Sequence, residues 1–155
     1  MWGAFATTSV HLNGAPFAQP KSFSEGFGKN ESTGVLYFYD SDMDTSVQDA
    51  VANNVVSFTL SEAQIDECKG KFSGEDPESP LCARVVFTGS FDKVTDEEEN
   101  EKALAGMFER HPVMKTWPGD HSFYLHKLTI TDIWLISFYG GASIIEPDDY
   151  FGAKV

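Results

Sequence analysis

At 155 residues, 41% of them hydrophobic and 14% aromatic, the chain has the size of one domain with a real core, and its composition excludes a disordered tract. A net charge of −13 with only 11 Lys and Arg excludes the basic stripe that nucleic-acid phosphates require and disfavours an anionic membrane surface. No apolar run approaches the roughly 20 residues that span a bilayer, so no membrane insertion is expected.

Taken in chain order, residues 4–11 alternate apolar and polar side chains and predict a first strand. Residues 13–33, rich in Gly, Pro, Ser and Lys with Phe17, Phe23 and Phe27 interspersed, predict a partly irregular second strand and then a loop. Val35, Leu36, Tyr37, Phe38 and Tyr39 form a short apolar run of strand type. A short helix is expected over 46–53, burying Val47, Ala50 and Val51. Residues 54–61 alternate well enough for another strand, and 67–81 form a long irregular segment.

A long strand follows over 82–94, with Gly89 as a bend or bulge. Thr95, with Glu98 three places on, makes a capping box for a helix whose apolar face is Ala103, Leu104, Met107 and Phe108. Pro112 ends that helix at Arg110 or His111. The strongest strand signal runs over 122–139 to Gly140 and Gly141, and 143–145 can add a last short strand. Many strands with two peripheral helices predict an antiparallel barrel or sandwich of the α+β class, with the whole of 1–155 as one domain.

The motifs that could carry chemistry are few. Asp40, Asp42 and Asp44 copy the opening of a calcium loop, but Thr45 and Val51 stand where Gly and Glu belong, so a polar strand-to-helix turn is expected instead. His11, His111, His121 and His126 show no metal-ligand spacing, and no serine sits in a nucleophile elbow. Gly26, Gly28 and Lys29 lack the following helix that a phosphate cradle needs. No metal site and no catalytic residue are therefore assigned. Cys68 and Cys82 leave two readings open, a disulfide worth about 3 kcal/mol by loop closure or two unlinked buried thiols. Asn30, with Ser32 two places on, is a glycosylation sequon and agrees with the disulfide in asking for a secretory compartment.

Several segments resemble the CREG family, the cellular repressors of adenovirus early-region-stimulated genes. These are Trp2 through Ser9, Tyr37-Phe38-Tyr39-Asp40-Ser41, then Ser46-Val47, Ser79-Pro80-Leu81-Cys82, and most specifically Arg110-His111-Pro112-Val113-Met114-Lys115-Thr116-Trp117-Pro118. The block from Leu128 to Trp134, Tyr139-Gly140-Gly141 and the tail from Ile145 to Tyr150 fit as well, so the resemblance runs nearly end to end. The resemblance implies a six- or seven-stranded antiparallel split β-barrel with peripheral helices, of the FMN-binding kind found in pyridoxamine-phosphate oxidases, assembled as a homodimer.

In such oxidases a Ser-x-Lys-like helix start holds the FMN phosphate. Here Ser46, Val47 and Gln48 stand there, with no Lys or Arg between Tyr37 and Asn54, so this is a degenerate phosphate site. The resemblance further implies that the inter-cysteine loop around Asp76, Pro77, Glu78 and Ser79 fills the flavin cleft, with Cys68 and Cys82 joined. It thus implies no cofactor, FMN included. The expected protein is a non-enzymatic secreted or endolysosomal glycoprotein, glycosylated at Asn30. It would regulate growth and differentiation through protein partners, with a cell-surface or lysosomal-sorting receptor among the candidates. The alternative is an FMN- or haem-binding oxidoreductase of the same superfamily. The helix that precedes the first strand in the family is not found, and further sequon positions of the family are lost at Thr129 and Thr95.

Overall fold

A computed structural model gives the fold and describes residues 1–29, 31–65, 68 and 76–153. The described strands are β1 (Trp2–Thr8), β2 (Pro16–Ser22), β3 (Ser24–Glu25), β4 (Leu36–Asp40), β5 (Val56–Ser61), β6 (Arg84–Lys93), β7 (Tyr124–Ile136) and β8 (Ser143–Ile145). The helices are α1 (Thr45–Ala52), α2 (Glu97–Arg110) and α3 (Pro147–Gly152). All strand pairings are antiparallel, in the order β2-β1-β5-β6-β7-β4-β3, with β8 added beside β7. The expected split β-barrel is thus present, with six longer strands and two short ones.

The sheet curls around phenylalanines. Phe5, Phe38, Phe58 and Phe91 are buried on its inner face, and the Phe38 ring meets Phe58 edge-on with centroids 5.0 Å apart. Edge-on pairs align a positive ring edge with a negative ring face and add to the burial. β4 reads as a continuous apolar run because both its faces are covered. Leu36 and Phe38 point into the barrel, while Tyr37 joins Val94, Ala103, Met107 and Leu125 in a second core beneath α2. Gly106 lets α2 come close to the loop after β3, since a Cβ there would lie 2.6 Å from the Phe27 carbonyl carbon.

Where expectation and structure differ, local physics explains it. The first strand stops at Thr8 rather than residue 11, because residues 9–15 form the connection to β2, in which Asn13 and Gly14 take positive φ. The stretch read as partly irregular contains a full seven-residue strand, β2, paired with β1 along its whole length. Prolines at 16 and 20 disguise it, and a strand on the outside of the order tolerates them. Gly89 marks a register shift in the β6–β7 ladder, as anticipated. The α2 cap is Asp96, not Thr95. Val51 is 78% exposed rather than buried, because Ser46 and Asp49 join Val47 and Ala50 on the packed face of α1.

Candidate functional site

The start of α1 is built by two strands. β2 presents Gln19 and Lys21 on one face, two residues apart, and β4 ends in Asp40. Asp44 caps α1 with its carboxylate, accepting the Ser46 N–H at 2.7 Å and the Ser46 hydroxyl at 2.6 Å. The Asp44 carbonyl takes the N–H groups of Val47 and Gln48, both at 3.1 Å. Gln19 Nε2 donates to Asp44 Oδ1 and to Ser46 Oγ, each at 2.9 Å. Lys21 Nζ, buried, bridges Asp40 at 2.8 Å and Asp44 at 3.3 Å.

Charge explains the carboxylates' behaviour. Burial pushes the Asp40 carboxyl up from its ordinary pKa, and the nearby Lys21 ammonium only partly offsets this. Burial also acts on Asp44, but its bonds from Ser46 and the charge of Lys21 outweigh it and hold the group low. Lys21 is the residue sequence reasoning missed. It lies outside the segment searched for a cation, and only the pairing of β2 with β1 brings it to α1. The alternation of Gln19 and Lys21 was the available signal.

These groups do not fit a phosphate. The three N–H groups of Ser46, Val47 and Gln48 are already taken by Asp44. Among the described residues the ammonium at hand, that of Lys21, is shared by two carboxylates that would repel a dianion. Val47 is packed in the core, and Gln48 Nε2 turns away to donate to the Asp42 carbonyl at 2.8 Å.

The second predicted element lies elsewhere. Asp76 Oδ1 accepts the Glu78 N–H at 2.8 Å, and Arg84 Nη1 donates to the carbonyls of Pro77, Glu78 and Ser79 at 3.2 to 3.4 Å. Cys68 and Cys82 are joined in a disulfide, with Cα atoms 5.1 Å apart. Beside this flap an apolar cavity of about 350 Å³ is bounded by Trp2, Phe23, Leu60, Ile65, Val85 and Leu135. No hydrogen bond among the described residues joins Asp76, Pro77, Glu78 or Ser79 to the start of α1. Asn30 lies outside the described residues.

The remaining candidates disperse. Asp40 and Asp44 meet at the Lys21 ammonium while Asp42 accepts the Tyr124 hydroxyl, so the three carboxylates of the calcium-like run do not form a common cation site. His111 Nε2 lies 2.8 Å from the Phe23 carbonyl, and His126 is buried against Phe91. Among the described residues no cluster of three or more His, Cys, Asp or Glu is placed to hold a metal ion.

The family described as CREG, beta-barrel matches residues 1–152. The chain belongs to the CREG β-barrel family. Protein CREG1 of Gallus gallus is 44% identical over 99% of this chain and 80% of its own length. Protein CREG1 of Homo sapiens is 40% identical over 99% of this chain and 69% of its own length. Human Protein CREG2 is 38% identical over 99% of this chain, which spans about half of that relative, 52%.

Among solved structures, a haem binding protein from Mycobacterium smegmatis superposes with a TM-score of 0.75 at 16% identity, over 99% of this chain and 55% of that one. Campylobacter jejuni ChuZ gives 0.66 at 17% identity, over 96% and 55%. The chain therefore spans about half the length of these structures. At such identities they share the CREG fold, and the fold alone carries no function.

Proposed function

We propose that the chain acts as a non-enzymatic, homodimeric binding protein of the CREG type. It would work through protein partners in the restraint of growth and in differentiation, along the secretory and endolysosomal route. The observation that carries this reading is the start of α1, where Asp44 occupies the N–H groups a phosphate would use and Lys21 is neutralised. A charge-assisted phosphate clamp needs uncommitted cations, and this one is committed. The Cys68–Cys82 disulfide supports an oxidising compartment. Trp2 and Ile65, 53% and 69% exposed beside the apolar cavity, form the kind of surface a second copy would cover. Across such a dimer, Asp76 to Ser79 of one protomer would meet the cleft of the other.

The test is a visible absorption spectrum of the dialysed protein, before and after incubation with FMN and separately with haem. The expected result is a flow-through carrying neither flavin nor Soret absorbance. Stoichiometric retention of either chromophore would overturn the reading in favour of the oxidoreductase alternative.

A further inference from the structure

A second cavity, of about 310 Å³, lies between α1 and the strands it covers. Val47 and Ala50 of α1 line one side, and Phe91 and Lys93 of β6 with Tyr124 and His126 of β7 line the other. That volume is at the small end of ligand pockets. One side is therefore apolar, and the other carries two polar groups that the fold leaves unused.

The first is His126. It is 5% exposed, and neither ring nitrogen makes a hydrogen bond among the described residues. Nδ1 is sealed off, so Nε2 is the nitrogen left to meet the cavity that the ring borders. A buried N–H without an acceptor is rarer than a buried lone pair without a donor, which places the ring proton on Nε2. The second group is Lys93, opposite His126 in the β6–β7 ladder and so on the same side of the sheet. Its ammonium lies over the Tyr124 ring, 3.9 Å from the centroid, and no carboxylate among the described residues pairs with it.

The other charges around the ring are already engaged. Lys21, from β2, is held by Asp40 and Asp44. Asp42, from the turn before α1, accepts the Tyr124 hydroxyl. Asp92, from β6, accepts from Asn54, Ser90 and Thr129. The uncommitted charge is thus one ammonium, beside an imidazole N–H and an aliphatic wall.

We propose that this cavity binds a small free carboxylic acid as its anion. The carboxylate would pair with Lys93 and accept the His126 Nε2–H, and the acid's apolar group would lie against Val47 and Ala50. The inference does not rest on the chain being non-enzymatic, because neither a flavin nor a protein partner enters it.

The probe is benzoate, titrated into the full chain, with calorimetry and the NMR signals of the His126 ring as readouts. Benzamide, of the same shape without the charge, is the control. Benzoate should saturate, shift the ring signals and bind about tenfold or more tighter than benzamide, as a charge-assisted hydrogen bond allows. Lys93→Met keeps most of the aliphatic stem and should weaken benzoate binding by about tenfold, with circular dichroism confirming the fold. Lys93 is exposed, so this variant keeps the test open if His126→Phe fails to fold.

A bound carboxylate favours the protonated ring, so His126 is more basic in the complex than alone. Benzoate affinity should therefore rise as pH falls from about 7 to about 5, where benzoate stays ionised, and His126→Phe should abolish that rise. N-acetylphenylalanine should bind more weakly than benzoate, since the cavity has the volume of a small acid. Tighter binding of that compound would transfer the site to a polypeptide C-terminus and overturn the proposal. Equal binding of benzamide, no saturation, an affinity indifferent to pH, or Lys93→Met binding as the parent does would each overturn it too.

Discussion

His126 shows what a single side chain can do in this barrel. Its ring lies on Phe91, centroids 4.2 Å apart at 17°, and it is 5% exposed with Nδ1 lacking a hydrogen-bond partner. Burial, then the positive charges of Lys21 and Lys93, push its pKa down to about 4, against the weaker pull of Asp42 and Asp92. The folded pKa lies below the unfolded one, so the unfolded chain binds the proton first. Stability should hold above the ordinary histidine pKa of about 6.5, fall as pH drops through that value, and level off near 4, for a loss of about 3 kcal/mol. Urea unfolding of the parent and of His126→Phe, compared across this range, checks it. The variant should lack this share of the pH dependence, and an unchanged slope would refute the assignment. His121 ends a turn before β7 instead of sharing the strand with His126, and Phe91 and Lys21 reach His126 from distant parts of the chain. Its chemistry was therefore not legible in the sequence.

At the scale of an element, α2 illustrates a competition the sequence could not resolve. Thr95 with Glu98 and Asp96 with Glu99 offer the same cap pattern one residue apart. The structure selects Asp96, whose Oδ1 accepts the Glu99 N–H at 2.8 Å. The Glu99 side chain does not fold back on the cap. It accepts the Tyr37 hydroxyl at 2.9 Å and Lys127 at 2.8 Å, pinning α2 to β4 and β7. That anchoring fixes the rotation of the helix, and with it which residue can serve as cap. Asp96→Ala should therefore cost about 1 kcal/mol, and Thr95→Ala no more than a few tenths. Thermal melts of the two variants distinguish the registers, and the reverse order of effects would restore Thr95. Ala103 and Met107, by contrast, were legible as the buried face, because 3.6-residue periodicity is local.

At the scale of the molecule, the disulfide ties the flap to the barrel. Cys68 and Cys82 are 14 positions apart, and closing a loop of that length should stabilise by about 3 kcal/mol in the chain-entropy view. The double variant Cys68→Ser, Cys82→Ser should unfold at correspondingly lower denaturant, and reductant should have the same effect on the parent protein. Equal midpoints with and without reductant would show that the bridge adds nothing to the fold. The spacing alone left free thiols equally open. Only the approach of the two Cα atoms decides the pairing, because a disulfide needs both backbones in one place.

Most of the strands, the β6 bulge at Gly89, the buried face of α2 and membership of the CREG family were written in the sequence. Each depends on residues close together in it, or on a pattern of residues kept along its length. The coupling of Lys21 to Asp40 and Asp44 and the solitary nitrogen of His126 were settled only by the tertiary structure. Their partners come from separate parts of the chain, and the energy of a buried charge depends on neighbours that adjacency in sequence does not specify.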